Sequence, residues 1–358
     1  MRPRPPLSPR AALLGAALLA ACGAPPAPGS GPSPGNGSAG VRLEDVRAGL
    51  YALAADSMEG RFTGSPGMWR AARYIAGKLR EFGIEPAGED GYFQRLPIAV
   101  STREGRPRMR VLGAWADTLG VPPAERAVGL NVVGVVRGSD PALAEQAVLI
   151  DAHYDHLGIG RAVDGDSVYN GADDDATGVV TVLEVARAMA RGPRPKRTVV
   201  FLLTTGEEVG LLGTYWYIAH PVFPLERTAA NLEIEMIGRP DPLVGGPGRA
   251  WLTGYERSTM GDALAAAGVP IRADPRPDMQ FFLRSDNIAF AYRGIPAHTL
   301  STYNMHSDYH TPDDEPDRID YAHVTAVIGA AVRAARLLAD GPAPVWKPGG
   351  RPQPPARQ

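Results

Sequence analysis

Three short runs of branched apolar residues limit what this chain can become: LNVVGVV at 130–136, AVLIDA at 147–152 and TVVFLLTT at 198–205. None alternates with polar residues, so each reads as a strand buried on both faces, and such strands need helices above and below them. Those helices are legible too. ATGVVTVLEVARAMAR, 176–191, repeats Val179, Val182, Ala186 and Met189 at three- to four-residue spacing between the second and third runs. GMWRAARYIAGKLREF, 67–82, shows the same period and stops at Gly83. NLEIEMIG, 231–238, reads as a further strand and RIDYAHVTAVIGAAVRAARLLAD, 318–340, as a closing helix. The alternation of strand, helix and strand predicts an α/β architecture, a sheet covered by helices.

The ends fall outside that pattern. Arg2, Arg4 and Arg10 precede an apolar run, Ala11 to Ala21, that is too short to span a bilayer core of roughly 30 Å, so residues 1–21 read as a secretory signal. Leu19-Ala20-Ala21-Cys22 resembles a bacterial lipobox, which implies a lipid on Cys22 and a chain exported and anchored to the bacterial cell envelope, at the outer membrane or periplasmic side. Cys22 is the only cysteine, so no internal disulfide forms. Residues 22–40 carry no charge and no large apolar side chain, the composition of a flexible tether. The proline-rich stretch 341–358 is expected to be a disordered tail, leaving 41–340 as one folded domain. A net charge of -2 without a basic stripe gives no case for nucleic acid.

In open α/β sheets, ligands collect at the carboxyl ends of the strands, and the chemistry-bearing residues of this chain fall there. AVLIDA runs into His153 and Asp155; YNGADDDATG places Asp173, Asp174 and Asp175 before a helix; TVVFLLTT runs into Glu207 and Glu208; NLEIEMIG carries Glu233 and Glu235; DYHTPDD brings His310. So many carboxylates on one rim repel one another unless cations neutralise them. Histidine nitrogen with carboxylate oxygen suits zinc, and two metals sharing a carboxylate suit hydrolysis. Adjacent glutamates point in different directions, so one can hold metal while its neighbour acts as a base. The i, i+2 spacing of His153 and Asp155 puts both on one side of an extended segment, where the aspartate would orient a metal-bound histidine. On the same alternation His156 points elsewhere, and His298 and His306 read as ordinary core or surface histidines.

In this order and at these separations, HYDHLG, YNGADDDATG, TTGEEVGLLG, EMIGRP and DYHTPDD resemble the co-catalytic zinc exopeptidases, which include bacterial secreted aminopeptidases, glutamate carboxypeptidase and glutaminyl cyclases. LAADSMEGRFTGSPG and GIEPAG, within 52–88, resemble the N-terminal part of the same family. The resemblance covers roughly Val41 to Asp340 and implies a three-layer αβα sandwich with a mixed, mostly parallel sheet and two Zn2+ ions. It implies His153 and Glu235 as ligands of one zinc, Glu208 and His310 as ligands of the other, and Asp174 as the bridge, followed by a cis peptide to Asp175. It makes Glu207 the general base, Asp155 the residue that orients His153, and Tyr309 a group that polarises the scissile carbonyl. Many aminopeptidases of the family carry aspartate where this chain has Glu235. The implied activity is removal of N-terminal residues from peptides. Glutaminyl cyclase, a carboxypeptidase using Arg239, Arg284 or Arg293 for the substrate carboxylate, and a non-catalytic binding domain are the alternatives. RSDNIAFAYRGIP, 284–296, resembles the segment lining the substrate side, with Ser285 and Asp286 shaping the pocket.

Overall fold

The computed structural model describes residues 40–103 and 106–354. The signal segment, Cys22 and the tether up to residue 39 lie outside the described residues.

Every expected strand forms. The strands in chain order are β1 (Glu85–Pro86), β2 (Phe93–Arg103), β3 (Arg106–Val111), β4 (Arg126–Val136), β5 (Ala147–His153), β6 (Gly158–Val163), β7 (Asp166–Tyr169), β8 (Thr198–Thr204), β9 (Thr228–Ile234), β10 (Ala250–Leu252), β11 (Ile271–Ala273) and β12 (Ala297–Ser301). The main sheet runs β11-β10-β12-β9-β5-β8-β4-β2-β3, with β1 on β4, while β6 and β7 form a separate hairpin. β5 is parallel to β8 and β9, and β9 to β12. These strands make the parallel centre. β4 pairs antiparallel with β8, and β2 joins β4 and β3 antiparallel, so the far half of the sheet is a meander. β3 closes that edge with Pro107, Arg108 and Arg110, residues that discourage a further strand from adding.

β5 and β8 are buried along their whole length, as their uninterrupted apolar sequence requires. One face is covered by α1 (Leu43–Leu53), α2 (Pro66–Glu81), α3 (Thr177–Arg191), α5 (Met260–Ala266) and α7 (Tyr321–Asp340), whose apolar side chains join Val148, Ile150, Phe201 and Leu232 in the larger core. The other face is covered by α4 (Leu212–Ala219) and α6 (Asn287–Tyr292), through Tyr217, Ile218 and Phe290 against Val133, Leu149 and Leu202. Ser65 caps α2, accepting a hydrogen bond from Met68 N, and Asp320 caps α7, accepting from His323 N. α7 is long and apolar enough to cross a membrane, but two-thirds of it is buried against the sheet, which makes it a core helix.

The C-terminal stretch differs from expectation. Residues 341–354 lie on the domain surface: Trp346 Nε1 donates to Gly294 O (2.8 Å), Lys347 N donates to Arg257 O (2.8 Å), and the indole packs beside Phe282 and His298. A single large aromatic supplies the buried area that proline-rich composition otherwise lacks.

Candidate metal centre and substrate pocket

Because β5, β8, β9 and β12 run parallel, their carboxyl ends share one rim. The register sets Asp151 opposite Glu233 and His153 opposite Thr204, so carrying β9 one residue past its end at Ile234 brings Glu235 beside His153. Three loops complete the rim. The first follows β5. The second, 171–176, precedes α3 and contains a cis peptide between Asp174 and Asp175, as the family resemblance implies. The third, around His310, follows β12.

Two groups of metal-competent side chains result, both containing Asp174. His153, Asp174 and Glu235 form one; His156, Asp174, Glu208 and His310 form the other, with ligand atoms within 4.8 Å of one another in each. His153 Nε2 lies 3.3 Å from Asp174 Oδ1. His310 Nε2 lies 3.1 Å from Asp174 Oδ2 and 3.3 Å from Glu208 Oε2. His153 Nε2, both ring nitrogens of His156 and Glu208 Oε1 are buried without a hydrogen-bond partner. Buried polar atoms are normally paired. Donor atoms that crowd together unpaired fit a divalent cation between them, and a mixed histidine and carboxylate set fits zinc.

Two expectations are corrected in detail. His156 does not point away: its Nδ1 sits 2.8 Å from Glu208 Oε1. The alternation used to place it ends with β5 at His153, three residues earlier. Asp155 lies beside His153, but the nearer partner of His153 Nδ1 is the backbone carbonyl of Asp155 at 3.1 Å, with the carboxylate at 3.8 Å. That carboxylate accepts instead from Thr63 Oγ1 (3.0 Å) and from Glu207 N (3.2 Å), tying the two motifs together.

The electrostatics follow from burial of like charges. Burial, with repulsion from Glu208 and Glu235, pushes the Glu207 carboxyl well up despite the opposing attraction of His153. Burial also raises Glu235 to about 8 and Asp155 to about 6. Burial disfavours a charged His310, yet contact with Asp174 and Glu208 overrides it and lifts the ring to about 10. A metal ion would have to displace that proton, so the site trades protons for cations.

Several residues that hold this arrangement were not singled out by sequence. Arg61, fully buried, donates from Nε to Tyr154 O (2.7 Å), from Nη1 to Leu53 O (2.9 Å) and Asn170 O (2.6 Å), and from Nη2 to Gly171 O (2.8 Å). It clamps the loops of His153 and Asp174. Asp314 accepts from the amides of Asp173 and Asp174 at 3.0 Å each. Asp175 accepts from Gly178 N and Met236 N, and a Cβ on Gly178 would come within 2.2 Å of that carboxylate. Arg61 lay within EGRFTG and Asp314 within DYHTPDD, but no spacing rule marks a side chain that serves only backbone groups.

The groups open onto a pocket lined by Asp174, Glu207, Glu208, Glu235 and His310 on one side and by Met236, Trp251, Phe281, Tyr303 and Tyr309 on the other. Tyr309 stacks on His310 at 3.8 Å between ring centres, and burial raises its phenol. Ser285 and Asp286 do not line the pocket. Ser285 Oγ and the amides of Asp286 and Asn287 donate to Glu233, which sits with Asp151 and Asp286 in a buried carboxylate cluster behind the rim. Of the three arginines considered, Arg239 is engaged by Asp308 (2.7 Å), Arg293 lies off the pocket, and Arg284 reaches its rim over the Phe281 ring. His298 is a core residue bonded to Ser258 and Thr253, and His306 contacts Asp173.

A mixed, helix-covered sheet whose carboxyl rim gathers two histidine and carboxylate groups around one shared aspartate defines the class of hydrolytic metallopeptidases. Within it, the pattern of peptidase family M28 matches residues 131–335, more than half of the chain, and the chain belongs to that family. It is 26% identical over 289 residues to a vacuolar membrane protease of Tuber melanosporum (strain Mel28), covering 76% of this chain and 28% of that protein. It is 28% identical over 217 residues to a probable leucine aminopeptidase 2 of Aspergillus oryzae (strain ATCC 42149 / RIB 40), covering 57% of this chain and 40% of that one. The chain thus spans well under half the length of these relatives. Its fold is similar to that of the aminopeptidase from Aneurinibacillus sp. strain AM-1 (TM-score 0.59, 16% identity, 86% of this chain and 96% of the other). It is likewise similar to that of the glutaminyl cyclase of Porphyromonas gingivalis (TM-score 0.58, 15% identity, 82% and 97%).

Proposed function

We propose that this metallopeptidase is a dinuclear zinc aminopeptidase. The observation that carries the reading is the sharing of Asp174 by two donor groups in a pocket that Glu207 also lines. His153, Asp174 and Glu235 would hold one ion, and Asp174, Glu208 and His310 the other. When bound, zinc supplies Lewis-acid polarisation of the scissile carbonyl and lowers the pKa of water towards neutrality. Glu207 takes the proton of the attacking water on its carboxylate and returns it to the leaving amine, from its place on the pocket wall beside Glu208. Thr63 and Glu207 N fix Asp155, which keeps the His153 loop in place. Tyr309 stands over the pocket with a phenol that stays protonated and donates to the developing oxyanion. Trp251, Phe281 and Tyr303 give the pocket an apolar wall for a substrate side chain.

Arg284 supports a second reading. It is a rim guanidinium with no ion pair among the described residues, placed to receive a substrate carboxylate, as a carboxypeptidase or a dipeptide-preferring enzyme requires. Hydrolysis of matched peptides with free or acetylated amino termini and free or amidated carboxyl termini separates the two. Cleavage lost on acetylation supports the aminopeptidase; cleavage lost only on amidation replaces it with the carboxypeptidase; ring closure of an N-terminal glutamine replaces it with the cyclase. The export signal and lipid on Cys22 complete the reading on sequence alone, and loss of radiolabelled palmitate incorporation in Cys22→Ser tests them.

A further inference from the structure

The two donor groups are unequal. The first offers three side chains, the second four, and the additional one is His156. Its ring is fully buried, its Nδ1 lies 2.8 Å from Glu208 Oε1 and 3.8 Å from Asp174 Oδ2, and neither ring nitrogen has a hydrogen-bond partner. A histidine buried with both ring nitrogens unpaired is costly, and an imidazole held merely to orient Glu208 would show an aligned hydrogen bond to it. The place for the ring is made by Gly171, whose φ is +56° and where a Cβ would come within 2.5 Å of His156 Cγ. The same glycine's carbonyl is held by Arg61, so the loop that carries Asp174 also keeps the ring against the carboxylates. The His310 ring faces it edge-on, centres 5.6 Å apart, leaving both imidazoles turned towards Asp174 and Glu208.

We propose that His156 is a fourth protein ligand of the Asp174–Glu208–His310 metal position, which closes that position and leaves the His153–Glu235 position as the open one. This rests on the dinuclear reading above. Four protein donors characterise tightly held zinc, whereas three leave room for water or substrate. The two ions then bind in order, the first to the closed position and the second more weakly to the open one, and only the second exchanges readily.

The test is zinc titration of the metal-depleted full chain against a chromophoric chelator, for wild type and His156→Asn. The asparagine amide is smaller and can donate a hydrogen bond to Glu208, but it is a poor zinc ligand. Wild type is expected to bind two ions of unequal affinity, and His156→Asn to weaken the tighter one by about 100-fold or more, beyond the ~10–100-fold that losing an outer hydrogen-bond partner costs. A variant that retains both affinities within about tenfold overturns the proposal while leaving the dinuclear site intact, and a wild type that binds fewer than two ions overturns the dinuclear reading itself. X-ray absorption of wild type loaded with one equivalent of zinc needs no variant. Two imidazoles at that ion are expected, and a single imidazole refutes the role of His156.

Discussion

Replacing Arg61 with methionine removes the clamp that joins the two metal-bearing loops. The side chain makes four hydrogen bonds to carbonyls of Leu53, Tyr154, Asn170 and Gly171, all inside the protein. An unsatisfied buried acceptor costs about 1–3 kcal/mol. Water entering the space left by the guanidinium satisfies some of them, so a net loss of about 4 kcal/mol is the reasoned value rather than the sum. Burial alone lowers the Arg61 pKa, and the carboxylates of Asp174, Asp314, Asp155 and Asp175 oppose that shift; its removal therefore also leaves those carboxylates less compensated. With an unfolding entropy of about 2.1 cal/mol/K per residue over roughly 310 residues, 4 kcal/mol lowers the melting temperature by about 6 °C. Calorimetry on the chelated and zinc-loaded forms measures this, and zinc affinity should fall by about 10–100-fold because both ligand loops lose their tie. Arg61→Lys keeps the charge but cannot span four carbonyls, so it should lie between. A melting temperature within about 2 °C of wild type, with unchanged zinc affinity, refutes the reasoning.

Three other outcomes follow from the site. Glu207→Gln should retain zinc while kcat falls by about 10²–10⁴-fold; near-normal turnover removes Glu207 from the proton transfer. Arg284→Gln should leave cleavage of carboxyl-amidated peptides unchanged and raise KM for short peptides with a free carboxylate, which steady-state kinetics on paired substrates reads out. His298 is pushed down to about 4, chiefly by burial and further by Arg257, against the Thr253 carbonyl that supports its charge. The unfolded chain therefore takes up this proton first, near pH 6.5. Its contribution is intact above pH 6.5 and is lost as pH falls towards 4, by about 3 kcal/mol in all. His298→Gln should flatten that segment of the stability profile, measured by urea unfolding at a series of pH values, and an unchanged acid slope would show that other groups set it.

The strands and main helices were legible because their signals are local: an unbroken apolar run for β5 and β8, a 3.6-residue period for α3 and α7. The rim was legible for a related reason, since a buried strand can end in His153 or Glu235 only where something outside the core receives them. What sequence hid was of two kinds. His156 was placed by continuing strand alternation past the residue where the strand stops, whereas beyond His153 the extended strand has ended and the ring lies against Glu208. Arg61 and Asp314 act on backbone groups distant in sequence, so their role exists only once Tyr154, Gly171 and Asp173 have been assembled. Trp346 shows the same limit at the C-terminus, where one aromatic outweighs a composition that otherwise reads as unstructured.

On the proposed function, catalysis belongs to the zinc-loaded rim around Asp174. Metal content by mass spectrometry, followed on the same sample with peptide hydrolysis before and after chelation and zinc return, tests it most directly. Two zinc ions per chain are expected, with cleavage of free-amine peptides that disappears on chelation and recovers with zinc. Undiminished cleavage by the metal-free chain, or a protein that takes up no zinc, would contradict it.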